Sequence, residues 1–134
     1  MQLVNKLMML SINVSDMPKA KAFYADKLGL KVTTDYRQND DNWWVTLNLP
    51  EGGATITLSR ATGFESVKPS TMTLYFETSD IEASHEELSA KGVKVSEVQD
   101  DLFGTGSGVK FFNLEDPEGN HVMLAQAHKS RAPF

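Results

Sequence analysis

Val14-Ser15-Asp16, a run to Gly29 and then Leu30-Lys31-Val32 are answered later by Thr78-Ser79-Asp80, a run to Gly92 and then Val93-Lys94-Val95. The two Ser-Asp pairs stand 64 positions apart. A second echo sets Ile56-Thr57-Leu58-Ser59-Arg60-Ala61 against Val122-Met123-Leu124-Ala125-Gln126-Ala127, at an offset of 66. Two echoes at nearly one offset, close to half of the 134 residues, describe two copies of one module. Two copies are too few for a solenoid, so a paired, pseudo-symmetric domain is expected.

Each copy opens with a strand, Leu7 to Val14 in the first and Thr71 to Thr78 in the second. Leu10, Ile12 and Val14 share one face and Met9, Ser11 and Asn13 the other. In the second copy Met72, Leu74 and Phe76 alternate with Thr73, Tyr75 and Glu77. A helix follows. Ser15 or Asp16 caps the first, with Pro18 in its opening turn. Ser79 and Glu82 have capping-box spacing for the second. Ala20, Phe23, Tyr24 and Leu28 form one apolar stripe, and Ile81, Ser84 and Leu88 a weaker one. Gly29 and Gly92 stand where a left-handed C-terminal cap belongs.

Three strands complete each copy, at about 30–36, 43–49 and 54–60, then about 93–98, 108–115 and 121–127. Pro50-Glu51-Gly52-Gly53 and Asp116-Pro117-Glu118-Gly119-Asn120 supply the last turns. The expectation is an α+β fold of two βαβββ modules forming a curved mixed sheet, with helices on its outer face. One domain spans 1–134, with module one at about 5–61, a linker at about 62–70 and module two at about 71–127.

Composition narrows the function. Hydrophobic residues make up 40% and charged residues 23%, a globular balance that buries roughly two-thirds of the unfolded surface at this length. Zero cysteines exclude disulfides, zinc-thiolate sites, iron–sulfur clusters and a cysteine nucleophile. A net charge of −5 argues against nucleic acid and favours neutral or cationic ligands. Leu7 to Val14 is broken by Ser11 and Asn13, far short of the roughly 18 apolar residues a membrane span needs. It also lacks the form of a signal peptide, so a cytoplasmic protein is expected.

The chain resembles the vicinal oxygen chelate superfamily, which includes glyoxalase, bleomycin-resistance proteins, fosfomycin-resistance enzymes and extradiol dioxygenases. The matching residues are Asn13-Val14-Ser15-Asp16, Ala22-Phe23-Tyr24 through Leu28-Gly29-Leu30, Ser79-Asp80-Ile81 and, most specifically, Asp116-Pro117-Glu118-Gly119-Asn120. They span about residues 7–127. The resemblance implies two βαβββ modules enclosing a ligand or metal in a cup, and a homodimer. Whether the modules pair within a chain or exchange between chains is open. Metal enzymes of the family take His, Glu or Gln ligands from four strand positions, which fall here at Met9, Thr57, Thr73 and Met123. Thioethers and neutral hydroxyls are poor ligands for such metals, so the usual metal site, and with it a cofactor, is expected to be absent.

Other residues are weighed beside these. His85, next to Glu86 and Glu87, reads as a solvated helix residue, and His128 lies near the C-terminal end. His121 shares a face with Met123, where a ligand contact and a structural role compete. Adjacent Trp43 and Trp44 face opposite sides of a strand. Trp43 alternates with Val45, Leu47 and Leu49, which leaves Trp44 for the cup unless both simply pack. Tyr75 and Phe112 are further cup candidates. Gly104-Thr105-Gly106-Ser107-Gly108 is neither a dinucleotide fingerprint nor a P-loop, and reads as a loop placed to cover the cup. Arg60 reads as a surface residue, or as a partner for an anionic ligand or Glu77. Asp40-Asp41 and Asp100-Asp101 read as solvated loop charges. No nucleophilic triad is visible.

The resulting expectation is a metal-free small-molecule binding protein, sequestering a drug or metabolite as bleomycin-resistance proteins do. Its ligand contacts would be Met9, Trp44, Thr57, Thr73, Tyr75, Phe112, His121 and Met123. The alternative is a metal-dependent lyase, isomerase or dioxygenase with a displaced site built on His121, Glu77 and a second subunit. A third possibility is an interaction module whose cup has collapsed around Met9 and Met123.

Overall fold

A computed structural model describes residues 3–60, 73–102 and 104–126. The chain divides into two compact units, Met1–Pro69 and Ser70–Phe134. The expected linker at about 62–70, the first two residues of the expected strand Thr71 to Thr78, and His128 lie outside the described residues.

In the first unit β1 (Met9–Asn13) leads through Asp16 into α1 (Met17–Lys21). The Asp16 carboxylate accepts the Lys19 N–H at 3.0 Å, which settles the choice between Ser15 and Asp16 as cap. The helix runs on in π form over Ala22–Lys27, where the Leu28 N–H donates to the Phe23 carbonyl at 3.0 Å. Gly29, at φ +82°, ends it. Strands β2 (Lys31–Asn39), β3 (Asn42–Asn48) and β4 (Thr55–Arg60) follow. The sheet order is β1-β4-β3-β2, with β1 parallel to β4 and the other pairs antiparallel. Packing α1 on β4 buries Met17, Ala20 and Tyr24 beside Ile12, Val45, Leu47, Ile56 and Leu58.

The second unit repeats the plan with β5 (Thr73–Glu77), α2 (Ile81–Ala90), β6 (Lys110–Glu115) and β7 (His121–Gln126). Its sheet order is β5-β7-β6, again with the first strand parallel to the last. Asp80, not Ser79, caps α2 by accepting the Ala83 N–H at 3.0 Å. Ile81 and Leu88 are buried on the sheet, and the half-buried Ser84 hydroxyl meets Thr78 Oγ1 at 2.6 Å.

The strand expected at 93–98 does not form. The Ser96 N–H still donates to the Asn113 carbonyl at 2.9 Å, but the neighbouring groups are taken by side chains. His85 Nε2 donates to the Ser96 carbonyl at 2.8 Å, and the Asn113 N–H goes to Ser96 Oγ at 2.8 Å. Only Gln99 makes a bridge, to Phe111. His85 is therefore half-buried and structural, with its ring edge-on to Phe112 at 5.1 Å, and not a solvated residue.

Candidate functional site

Each sheet has a face on which its helix packs and a face free of it. In the first sheet, strand alternation puts Met9, Ser11 and Asn13 of β1 on the helix-free face. They pair with Thr55, Thr57 and Ser59 of β4. Strand β3 adds Trp44 and Thr46, paired with Ser59 and Thr57, and then Asn48. In β2, Tyr36 pairs with Trp44 and Thr34 with Thr46. The Thr57 hydroxyl donates to Met9 Sδ at 2.8 Å, and Thr46 Oγ1 lies 3.4 Å from Thr57 Oγ1. The Tyr36 and Trp44 rings have centroids 5.6 Å apart.

Charges gather on the opposite side. The Trp43 indole N–H donates to Asp35 Oδ1 at 2.7 Å, and the Arg37 guanidinium sits 4.5 Å from the Trp43 ring centroid. Hydrogen bonds from Lys21 and then Trp43 hold the Asp35 carboxyl below its ordinary value, against a smaller opposing effect of burial. Arg60 donates to the carbonyls of Asp40 and Ser15, both at 2.9 Å, and pairs with Asp41 at 3.5 Å. Asp40 also pairs with Arg37. Asp40 and Asp41 are exposed, as expected of solvated loop charges, and pair with two arginines beside a cavity of about 350 Å³.

In the second sheet the helix-free face carries Thr73, Tyr75 and Glu77 of β5, paired with His121, Met123 and Ala125 of β7. Phe111, Asn113 and Glu115 of β6 complete it. His121 Nε2 lies 2.7 Å from Asn113 Oδ1, which only accepts, so Nε2 carries the proton. Nδ1 is then left to accept from the Thr73 hydroxyl at 3.4 Å. His121 and Asn113 line an open groove of about 710 Å³ together with Lys94, Ser96 and Glu115. Leu102 and Val109 pack over the other end of the face, in one buried cluster with Phe111, Met123 and Ala125.

The expected site residues therefore fall into two sets. Met9, Trp44 and Thr57 share the first helix-free face, and Thr73, Tyr75, His121 and Met123 the second. Phe112 is a correction. It is fully buried on the helix side, paired with Leu124 and stacked edge-on to His85. Its neighbour Phe111 occupies the face proposed for it. Tyr36, Thr46, Asn48 and Asn113 were not singled out from sequence. The pairing of Tyr36 with Trp44 needs the β2 register, which a bulge between Val32 and Thr34 shifts. The pairing expected for a displaced metal is not made within this sheet: His121 pairs with Thr73, and Glu77 with Ala125, four residues along, about 13 Å.

Residues 6–124 match the Glyoxalase/Bleomycin resistance protein/Dioxygenase superfamily, and the chain belongs to that family. The uncharacterized protein YetH of Bacillus subtilis (strain 168) is 25% identical over 129 residues, covering 92% of this chain and 100% of that protein. Among solved structures, TnmS3, an antibiotic binding protein from Streptomyces sp. CB03234, superposes with a TM-score of 0.77 at 23% identity, over 94% of this chain and 98% of that one. A superfamily member from Sphaerobacter thermophilus DSM 20745 gives 0.73 at 23% identity, over 92% and 98%. At such identities the structural likenesses establish the fold.

The metal that many members of this family carry does not suit the donors present. Of the four corresponding positions, Met9 and Thr57 bond to each other, and Met123 is packed among apolar side chains. Thioether and neutral hydroxyl donors do not match a hard or borderline divalent ion. Among the described residues no group of three or more His, Asp or Glu is placed to hold a metal. No described helix is long and apolar enough to cross a membrane.

Proposed function

We propose that this protein binds an organic small molecule without a metal, and sequesters a drug or metabolite. The observation that carries the reading is the Thr57–Met9 hydrogen bond, 2.8 Å long, at two positions where metal enzymes of the family take His, Glu or Gln ligands. Exposed Met9, Tyr36 and Tyr75 on helix-free faces supply apolar contact area, and hydroxyls and one imidazole supply orientation. The proposed contacts are Met9, Trp44 and Thr57 on the first sheet and Thr73, Tyr75 and His121 on the second, with Met123 beneath Leu102. The antibiotic-binding relative supports the ligand class. The same reading makes the protein cytoplasmic and a homodimer, and light scattering on the purified chain tests the dimer.

The functional test is elemental mass spectrometry on untagged protein, with thermal unfolding measured with and without chelator. Metal well below one equivalent and an unchanged melting temperature support the proposal. One tightly bound divalent ion per chain, with melting lowered by chelator, refutes it and puts an enzyme in its place.

A further inference from the structure

The helix-free face of the first sheet is shaped for one kind of ligand. Trp44, Thr46 and Asn48 occupy alternate positions of β3, so the row is about 13 Å long. At one end Trp44 and Tyr36 form a platform with ring planes 37° apart, and Tyr36 is 55% exposed. In the middle, the Thr57 proton is committed to Met9 Sδ. Thr46 must therefore be the donor in its 3.4 Å contact with Thr57. Both hydroxyl oxygens keep only acceptor capacity. At the far end Asn48 Oδ1 is buried and has no hydrogen-bond partner among the described residues. Buried acceptors in folded proteins are ordinarily filled, by protein, water or ligand.

The oxygens of Thr46, Thr57 and Asn48 left open in this row are all acceptors, so the complement to them is a donor. A hydroxyl and an ammonium both donate, and Lys31 separates them. It pairs in register with Asn48, the one charged side chain in register with this row, and its charge opposes a second cation there. The global charge of −5 favours cations at long range, but screening limits that effect beyond about 8–10 Å and leaves the local charge to decide.

We infer that this face binds an uncharged, planar aromatic compound bearing hydroxyl groups, its rings on Trp44 and Tyr36 and a hydroxyl donated to Asn48 Oδ1. The inference rests on the small-molecule reading above and specifies its ligand class.

The test is calorimetry on the full chain with 4-methylumbelliferyl glucoside, a neutral coumarin carrying a hydroxyl-rich group. 7-Methoxy-4-methylcoumarin serves as the analogue without donors. The glucoside is expected to bind more tightly than the methoxy compound. Asn48→Leu should weaken the glucoside roughly three- to tenfold and leave the methoxy compound unchanged. That variant also removes an unpaired buried acceptor, so its thermal stability should not fall. Trp44→Phe should weaken both compounds. Equal affinity for the two coumarins, or an Asn48→Leu variant that binds the glucoside like the parent, overturns the inference. If neither coumarin binds but a broad library yields a charged ligand, the ligand class fails and small-molecule binding stands. If that library yields nothing, both fail.

Discussion

Replacing Asp116 by alanine should be the most damaging single change in the last turn of the second unit. Asp116 and Asn120 are 5% and 2% exposed. One carboxylate oxygen of Asp116 accepts the Glu118 N–H at 2.9 Å and the Asn120 N–H at 2.8 Å. The other accepts the Asn120 side-chain amide at 3.0 Å. Alanine leaves all three donors without that acceptor. Glu118 is half-exposed, so water replaces its bond at little cost. The two Asn120 donors are buried, and each unsatisfied donor costs about 1–3 kcal/mol. Partial relaxation of the turn brings the expected loss to about 3–4 kcal/mol. Asp116→Asn keeps an oxygen for the two backbone donors, and Asn120 can turn its amide to meet the new NH2 group. Its loss should be about 1 kcal/mol, the difference between a charged and a neutral acceptor. Urea unfolding followed by circular dichroism measures both. Tryptophan fluorescence alone does not suffice, because Trp43 and Trp44 belong to the other unit. A loss below about 1 kcal/mol for Asp116→Ala, or equal losses for the two variants, would refute this account of the turn.

Three further outcomes follow from the packing and charges. Phe112→Ala should cost about 3–5 kcal/mol in urea unfolding, because the ring is fully buried against the helix; a loss near zero would return Phe112 to a surface role. Gly29→Ala should cost about 1–2 kcal/mol by the same measurement. Position 29 has φ +82° and nothing near the added methyl, so strain alone sets the cost. Asp35 should leave a pH signature. Its carboxyl is held below the ordinary value by Lys21 and Trp43, so its stabilisation is fully present above the unfolded pKa of about 3.9. It is lost as pH falls through the lower folded value. The stability gap between the parent and Asp35→Asn should therefore close below about pH 4, and a gap constant from neutral pH to that range would contradict it.

Much of the backbone plan was legible in the sequence because it rests on local chemistry. The cap at Asp16, the glycines at 29 and 92 and the turn after Asp116 each answer to a few neighbouring residues, while the second cap falls one residue on, at Asp80 instead of Ser79. Errors arose where tertiary contacts decide. Phe111 and Phe112 are adjacent and both buried, because Leu102 and Val109 cover one face and α2 packs on the other. A run buried on both faces carries no alternation from which to read its phase. The acidic neighbours of His85 suggest a solvated residue, but its spacing says otherwise. It stands four residues after Ile81 and three before Leu88, both buried, so helical spacing already placed it toward the sheet. The missing strand at 93–98 depended on His85 and Ser96 bonding across the gap, which no local pattern signals. Asn48 has no distinguishing sequence context at all; its importance lies in an oxygen left without a partner.

The duplication offers an internal comparison that bears on function. Matching strand registers align Leu10 with Leu74, Ile12 with Phe76, Val45 with Phe112, Leu47 with Leu114, Ile56 with Val122 and Leu58 with Leu124. All six pairs face the helix side and all are apolar on apolar. On the helix-free side the same registers align Met9 with Thr73, Thr46 with Asn113, Thr55 with His121, Thr57 with Met123 and Asn13 with Glu77. There the chemical type changes at most pairs, while Trp44 and Phe111 stay aromatic and Thr46 and Asn113 stay neutral and polar. A helix-packed face demands apolar volume in both copies, and that demand has held the two alike. A face without a helix carries no such demand, so its residues are free to differ by what they contact. The first copy has become a row of acceptors beside two aromatic rings. The second has become an imidazole held between an amide and a hydroxyl, next to an apolar surface under Leu102. The family resemblance places metal ligands at four strand positions, two in each copy. The divergence of Met9 from Thr73 and of Thr57 from Met123 runs in another direction, with neither copy retaining a metal ligand there.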